Sequence, residues 1–204
     1  MSVARFVTPC KPVTGPTPPR GDRWIHEFKF DGWRIQVAKA GREVRLYTVR
    51  GHDIADRLPL LANSMRALPG SFLIDGEMFL PDADGRPDFR ALQNRMPACD
   101  GELCVLAFDL LHRNGRELAD KPLEERKDRL AALLARGAPG IVLAQTFGDG
   151  DKVLAAAEAV GLEGIVSKRR DRPYRSGAGG EWVKVKCAAW REANRERWRM
   201  FERG

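Results

Sequence analysis

The segment Glu27-Phe28-Lys29-Phe30-Asp31-Gly32-Trp33-Arg34 decides how this 204-residue chain is interpreted. Its apolar and aromatic residues are typical of a strand. In a strand, Lys29 and Asp31 would lie on one face, because successive side chains alternate between the two faces. Gly32 would let a ligand or another part of the chain approach the backbone closely. A lysine beside an acidic residue is by itself usually a solvated pair, so the rest of the chain has to support any further interpretation.

The overall composition is that of a globular protein, with 43% hydrophobic and 31% charged residues. The net charge of +7 favours a polyanionic partner, because basic side chains displace counterions from phosphates. The chain lacks an apolar run of membrane-spanning length and begins without the apolar stretch of a secretory signal. The four cysteines lack metal-type spacing and predict reduced thiols in a cytoplasmic protein.

Composition divides the chain into three parts. Residues 1–23 contain five prolines and two glycines and predict an extended, irregular lead-in. Residues 24–187 alternate strand-like and helix-like segments and predict one domain. Residues 188–204 carry three aromatic side chains among five arginines. They predict a basic amphipathic C-terminal helix, which either packs its aromatic side chains on the core or contacts nucleic-acid backbone.

The central part predicts an α+β fold with antiparallel sheets flanked by helices, since no βαβ periodicity is present. Short apolar or alternating runs predict strands over 24–30, 33–38, 44–49, 72–80, 103–111, 164–168 and 181–187. Helices are predicted over 58–68, after a cap at Asp120 with Leu123, Leu130 and Leu134 on one face, and over 151–160.

Five motifs, in one order along the chain, resemble those of the covalent nucleotidyltransferases, which comprise ATP-dependent DNA ligases, RNA ligases and mRNA capping enzymes. The first is the Lys29-x-Asp31-Gly32-x-Arg34 pattern. The others are Ile74-Asp75-Gly76-Glu77, Ala107-Phe108-Asp109-Leu110-Leu111, Glu163-Gly164-Ile165-Val166-Ser167-Lys168 and Trp182-Val183-Lys184-Val185-Lys186. Five collinear motifs make chance agreement implausible, and the resemblance implies the nucleotidyltransferase fold, which is ATP-grasp-like.

The resemblance implies that Lys29 attacks the α-phosphate of ATP and becomes a covalent lysyl-AMP, oriented by Asp31. Glu163 is the implied ligand of Mg²⁺, which prefers oxygen donors. The resemblance implies that Arg34 and Glu77 contact the ribose, that Phe108 stacks on the adenine, and that Lys184 and Lys186 bind the α-phosphate. Glu27 is a further implied ATP-binding residue.

A lysine nucleophile has to lose its proton, although an unperturbed lysine has a pKa of about 10.4. Burial lowers a lysine pKa, and so do neighbouring cations. We therefore expect the pKa of Lys29 to be lowered, with Arg34, Lys184 and Lys186 as the neighbouring cations.

Three further segments resemble the ligase domain of bacterial non-homologous end-joining ligases: Trp24-Ile25-His26-Glu27, Phe89-Arg90-Ala91-Leu92-Gln93-Asn94-Arg95 and Pro122-Leu123-Glu124-Glu125-Arg126. This branch implies an ATP-dependent DNA ligase that transfers AMP to a 5′-phosphate at a nick in DNA repair. The implied partner is nicked or broken double-stranded DNA.

Two features depart from the family pattern. Where ligases have Ser or Thr-Arg-Asn-Gly, this chain has Thr48-Val49-Arg50-Gly51, so Val49 occupies the arginine position. A strand would point Arg50 to the opposite face, whereas a turn at Gly51 could restore it. Ligases also continue into an OB-fold, yet only 18 residues follow Lys186. We therefore expect an adenylation domain without an OB-fold, completed by a separate OB-fold or end-joining protein.

Two alternatives stay open at this point. The chain could be a non-catalytic module that binds nucleotide or DNA, or an RNA ligase within the same enzyme class. A covalent nucleotide adduct separates an enzyme from a binding module, and the choice of acceptor separates DNA from RNA ligation.

Overall fold

A computed structural model describes residues 4–194 of the chain. The strands in this range are β1 (Cys10–Thr14), β2 (Trp24–Lys29), β3 (Trp33–Ala40), β4 (Glu43–Thr48), β5 (Phe72–Phe79), β6 (Cys104–Arg113), β7 (Arg116–Glu117), β8 (Ile141–Leu143), β9 (Gly164–Arg169) and β10 (Gly177–Lys186). The α-helices in this range are α1 (Pro59–Met65), α2 (Phe89–Arg95), α3 (Leu123–Leu134), α4 (Gly150–Ala159) and α5 (Ala188–Ala193).

The strands form two sheets that face each other. The first sheet has the order β1-β10-β9-β2, and the second has the order β4-β3-β5-β6-β7 with β8 added against β6. The predicted α+β class is confirmed. Most strand pairs are antiparallel as expected, but β1 runs parallel to β10 and β8 runs parallel to β6. Both strands come from segments distant in sequence from their partners, so no tight hairpin dictates their direction.

Three apolar clusters hold these layers together. The outer face of the second sheet packs against α1 and α3 through residues such as Leu61 and Leu130. The outer face of the first sheet packs against α4 through Ile165 and Val185. A third cluster lies between the sheets and includes Trp182. The inner faces of the sheets are therefore partly apolar and partly available for a site.

The boundaries predicted for several elements need correction. The lead-in at 1–23 contains β1, which pairs with β10 over Cys10–Thr14. Helix α3 begins after Pro122 and has no side-chain cap bond, so the predicted cap at Asp120 is wrong. The first N–H groups of α3 are satisfied instead by a distant segment, since Leu123 donates to the carbonyl oxygen of Arg172 and Glu124 to that of Arg170. Leu133 is buried on this helix, whereas Leu134 is only partly buried.

The C-terminal segment is described only as far as residue 194. Helix α5 covers Ala188–Ala193, and Trp190 packs partly buried against the α4 cluster. The remainder of the predicted helix over 188–204 lies outside the described residues. Within residues 4–194, no helix is long and apolar enough to cross a membrane. All four cysteines are free thiols in this structure.

A buried ion pair fixes α3 to the second sheet. The Arg126 guanidinium donates to both carboxylate oxygens of Asp109 on β6, at 2.7 and 2.8 Å, and both side chains are fully buried. Arg126 also donates to the carbonyl oxygens of Lys121 and Arg172. This pair holds the start of α3 directly beside the strand that carries Phe108.

We expect Asp109→Ala to lower the free energy of unfolding by about 3–5 kcal/mol, because it leaves the Arg126 charge buried without its carboxylate. Urea denaturation followed by circular dichroism measures this change. The control is Glu102→Ala, which removes a surface partner of Arg95 and should leave the midpoint nearly unchanged. Equal losses in the two variants would contradict the assigned importance of the buried pair.

Candidate active site

A cavity of about 220 Å³ lies between the two sheets. The first sheet contributes residues of β2, β9 and β10, and the second contributes residues of β3, β5 and β6. The cavity contains most of the residues singled out in the sequence. Its lining includes Glu27, Lys29, Arg34, Glu77, Phe108, Lys168, Trp182 and Lys184.

The strand register explains why the charged residues of the first sheet converge. Lys29 on β2 lies opposite Gly164 on β9, and Gly164 lies opposite Lys186 on β10. Residues directly opposite each other in antiparallel strands share a face, so Lys29 and Lys186 point the same way. Only glycine fits between them, because a Cβ at Gly164 would lie 2.1 Å from the carbonyl oxygen of Val185.

The Glu163 carboxylate lies between these two lysines. Its Oε2 is 2.5 Å from Lys29 Nζ, and its Oε1 is 2.9 Å from Lys186 Nζ. Glu163 itself is only 4% exposed, so both ion pairs are shielded from water. The structure thus brings together the proposed nucleophile, the proposed metal ligand and one of the two proposed phosphate-binding lysines.

The charge of Glu163 changes the expected protonation of Lys29. Burial of Lys29 lowers its pKa, but the carboxylates of Glu163, Glu77 and Asp31 outweigh burial, and the pKa is raised. The expectation of a lowered pKa is therefore wrong for the chain without nucleotide. For Lys186 burial is the larger effect, and its pKa is lowered even though Glu163 opposes the shift.

The middle of the cavity is formed by Arg34 and Glu77, which lie opposite each other on β3 and β5. Arg34 donates to both carboxylate oxygens of Asp75, at 2.9 and 2.7 Å, and Tyr174 donates to Asp75 at 2.5 Å. The arginine is therefore fixed in place before any ligand binds. Burial raises the pKa of Glu77 to about 7, although the positive charges of Lys29 and Arg34 oppose the shift.

The other end of the cavity is aromatic and basic. The ring of Phe108 meets that of Trp182 edge to face at 5.8 Å, and Lys168 Nζ lies 4.1 Å from the centre of each ring. Lys168 also pairs with Glu27 at 2.7 Å. Burial lowers the pKa of Lys168 to about 8, against the opposing charge of Glu27. Glu27 pairs in addition with Lys127 of α3 at 2.5 Å.

A local irregularity in β6 contributes to the orientation of Phe108. On β5, Asp75 pairs with Asp109 and the next residue, Gly76, pairs with Ala107, so Phe108 is an extra residue on β6. Such a bulge redirects the side chain that it carries.

Asp31 lies outside the strand in which it was expected. Strand β2 ends at Lys29, and Asp31 is in the connection to β3. The predicted shared face of a strand is therefore wrong, although the charge of Asp31 still reaches Lys29. The expected close approach at Gly32 is confirmed, since a Cβ there would lie 2.3 Å from the carbonyl oxygen of Met78. This contact holds the connection against β5 and fixes where β2 ends.

Comparison of the chain with known proteins identifies its family. The model described as the ATP dependent DNA ligase domain matches residues 11–186. The chain belongs to the ATP-dependent DNA ligase domain family. The predicted resemblance to this family, and with it the nucleotidyltransferase fold, is confirmed.

Individual relatives agree with the family match. This ligase domain is 41% identical over 175 residues to the multifunctional non-homologous end joining protein LigD of Pseudomonas aeruginosa, with 83% of this chain and 21% of that protein covered. It is 40% identical over 181 residues to a probable DNA ligase of Beutenbergia cavernae, with 82% and 35% covered. The chain thus spans about a fifth to a third of the length of these curated relatives.

Solved structures show the same similarity. A mycobacterial DNA ligase D complexed with ATP and MES aligns with a TM-score of 0.78 at 29% identity, covering 88% of this chain and 60% of that chain. The ligase domain from M. tuberculosis LigD aligns with a TM-score of 0.76 at 30% identity, covering 88% and 59%.

Four residues of the ligase domain site were missed as individual residues in the sequence: Lys127, Lys168, Trp182 and Tyr174. Lys168 and Trp182 stand inside quoted motifs, so alternation along β9 and β10 could have indicated that they share the face of Lys184. Lys127 and Tyr174 reach the site from distant segments, and no local pattern indicates their partners.

The segment Thr48-Val49-Arg50-Gly51, which departs from the family pattern, forms a turn. Gly51 has a φ of +83° and its N–H donates to the carbonyl oxygen of Thr48 at 2.8 Å. Val49 is 49% exposed, and Arg50 is exposed as well. Strand alternation therefore does not determine the direction of Arg50, because β4 ends at Thr48.

We expect Glu163→Gln to lower the pKa of Lys29, because the variant removes the carboxylate that stabilises the ammonium form. NMR titration with isotope-labelled lysine measures this pKa, and Lys29→Arg assigns the signal. The exposed Lys152 provides an internal control whose titration should not change. An unchanged pKa of Lys29 in the variant would contradict the role given to Glu163.

Proposed function

We propose that this domain forms a covalent lysyl-AMP at Lys29 and passes the AMP to a 5′-phosphate in DNA. The observation that carries the proposal is the position of Lys29 Nζ, which is held by Glu163 beside Lys186 where the strand register brings these residues together. The cavity continues from Lys29 to the aromatic side chain of Phe108. A nucleotide lying along the cavity would place its base at Phe108 and its α-phosphate at Lys29.

The residues at the base end suit adenine. The ring of Phe108 offers a stacking surface for a purine. Glu27 lines the same part of the cavity, and its carboxylate can only accept hydrogen bonds when ionised. The exocyclic amino group of adenine is a donor, whereas guanine has an oxygen at that position. Glu27 would therefore select ATP over GTP.

The remaining ATP-binding residues follow the direction of the cavity. Glu77 and Arg34 lie at the middle, where the ribose would be, and Glu77 would accept hydrogen bonds from ribose hydroxyls. Lys184 and Lys186 follow on β10 and would neutralise the charge that develops at the α-phosphate. Lys184 lines the cavity, whereas Lys186 is held next to Lys29 through Glu163.

The residues present fit a Mg²⁺ ion that is shared with the nucleotide. Glu163 supplies oxygen donors next to the proposed α-phosphate position. Among the described residues, no group of three or more His, Cys, Asp or Glu side chains forms a metal site. Mg²⁺ in nucleotide sites is usually bound by only one or two protein carboxylates, together with phosphate oxygens and waters. When bound, the ion would stabilise the departing pyrophosphate.

The proposed reaction exchanges one bond for another at the α-phosphorus. The Lys29 ammonium first loses its proton to solvent, since the Glu163 carboxylate beside it is the proposed Mg²⁺ ligand and is not free to hold that proton. The neutral amine then forms a nitrogen–phosphorus bond while the bond from the α-phosphorus to the bridging oxygen breaks. Pyrophosphate leaves with the electron pair of that bond. Asp31, in the connection after β2, would orient the lysine.

DNA as the acceptor rests on the relatives, whose names describe DNA ligases and an end-joining protein. The positive net charge of the chain and the exposed Arg50 support a contact with DNA backbone. A separate OB-fold or end-joining protein is the proposed partner for sealing a nick or a broken end. Comparing nicked DNA with RNA acceptors of equal length tests the choice of acceptor.

ATP labelled at the α-phosphate should leave acid-resistant label on the wild-type chain. The label should disappear in Lys29→Ala, because the nucleophilic nitrogen is absent, and should require Mg²⁺. Lys152→Ala is the matched control, since it removes an exposed lysine that does not line the cavity. Full labelling of Lys29→Ala would contradict the nucleophile, and ATP-dependent thermal stabilisation without label would support the non-catalytic binding module.

The rate of label formation should increase as the pH rises through the neutral range. The pKa of Lys29 is raised in the free chain, so only a small fraction of the amine is neutral at neutral pH, and the fraction grows with pH. Single-turnover measurements from about pH 6 to about pH 9 test this dependence. A constant rate over that range would contradict proton loss from Lys29 before the attack.

A further inference from the structure

Lys127 is a partly buried cation that the proposed chemistry does not use. It lies near the start of α3, and its side chain is 11% exposed. Its Nζ donates to Glu27 Oε1 at 2.5 Å and to the carbonyl oxygen of Phe108 at 3.2 Å. One ammonium group therefore contacts both residues that the proposed function places around the base.

Lys127 comes directly after the first turn of α3. The N-terminal end of a helix carries partial positive charge, so acidic residues are favoured there and cations are not. Helix α3 follows this rule on its exposed side with Glu124 and Glu125. Arg126 and Lys127 come next and are both turned inward onto buried carboxylates, Arg126 onto Asp109 and Lys127 onto Glu27.

Through these two adjacent residues, α3 contacts both sheets. Arg126 holds β6 at Asp109, and Lys127 holds β6 at Phe108 and β2 at Glu27. Strands β2 and β6 belong to different sheets. The distance between Phe108 and Glu27 is therefore constrained from outside the cavity by a helix.

The two lysines on Glu27 have different geometries. Lys168 lies in the same sheet as Glu27 and donates to Glu27 Oε2 at 2.7 Å. Its ammonium group also lies against the aromatic rings inside the cavity. Lys127 lies on α3 and donates to Glu27 Oε1. With both present, each carboxylate oxygen has one donor and the plane of the carboxylate is fixed. Without Lys127, Oε1 and the Phe108 carbonyl oxygen both lose a donor.

We propose that Lys127 is a positioning residue for base recognition, which holds the Glu27 carboxylate and the Phe108 backbone in the arrangement that accepts a purine with an exocyclic amino group. The inference rests on the proposed function, because it assumes that Glu27 and Phe108 surround the base. Lys127 itself acts through these two residues and contacts no reacting atom.

The test compares ATP with purine riboside triphosphate, which lacks the amino group, in single-turnover labelling of Lys29. The wild-type chain should prefer ATP in the rate constant divided by the apparent dissociation constant. In Lys127→Met this preference should fall about tenfold, since a misplaced hydrogen bond to a charged group costs about that much. The rate at saturating ATP should stay close to that of the wild type. Lys127→Arg, which can still donate to two oxygens, should restore most of the preference.

Lys152→Met is the matched control, because it removes one exposed lysine outside the site and should keep the full preference. An unchanged preference in Lys127→Met would overturn the proposal. Equal loss of preference in the Met and Arg variants would also overturn it, since a merely structural disturbance would not be rescued by charge. If Lys127→Met unfolds, Lys127→Leu replaces it in the comparison with Lys127→Arg, and the same outcomes decide.

Failure of the proposed function gives a different result. If the wild-type chain forms no adduct with either nucleotide, the proposed nucleophilic reaction fails, while the role of Lys127 can still be measured. The increase in Tm caused by ATP is then compared with that caused by purine riboside triphosphate. A larger increase with ATP in the wild type, lost in Lys127→Met and kept in Lys127→Arg, supports the positioning role. An equal difference in all three proteins contradicts it.

Discussion

The ion pairs of Glu163 with Lys29 and Lys186 join three strands at the reactive end of the cavity. Glu163 directly precedes β9, Lys29 ends β2, and Lys186 ends β10. Because Gly164 has no side chain, the backbones of β9 and β10 can approach closely enough for one carboxylate to reach both ammonium groups. The convergence of Lys29 and Lys186 at this end of the cavity depends on this approach.

The two ends of the cavity use the same arrangement of charges for different purposes. At each end a buried carboxylate lies between two lysines: Glu163 at the phosphate end and Glu27 at the base end. Separating the partners of a buried ion pair costs free energy, so each carboxylate is held in a defined orientation. In the proposed function, Lys29 has to leave its pair with Glu163 and react. In the same proposal, both lysines at Glu27 stay in place and keep its carboxylate ready to accept a hydrogen bond.

Much of the fold could be predicted from the sequence because its central strands are apolar and its motifs are local. The positions of β2, β3, β5 and β6 follow from short patterns within single segments. The cap of α3, the strand β1 and the end of β2 at Lys29 could not be predicted in the same way. Each depends on a contact with a distant residue, such as the pairing of β1 with β10 or the packing of Gly32 on Met78.

The same distinction applies to the site. Lys29, Glu77, Phe108 and Lys184 were identified from motifs and do line one cavity. The expected direction of the pKa shift at Lys29 was wrong, because the sequence does not show that the Glu163 carboxylate lies 2.5 Å from Lys29 Nζ. Lys127 was missed for a related reason, since its partner Glu27 is 100 positions away along the chain.

The proposed function requires Lys29 to become covalently adenylated. Intact-mass measurement of the purified chain after incubation with ATP and Mg²⁺ tests this most directly, with peptide mapping to locate any added group. We expect an increment of one AMP on the peptide that contains Lys29, and its removal on addition of pyrophosphate. An unmodified mass under conditions in which ATP demonstrably binds, or an increment on a different residue, would contradict it.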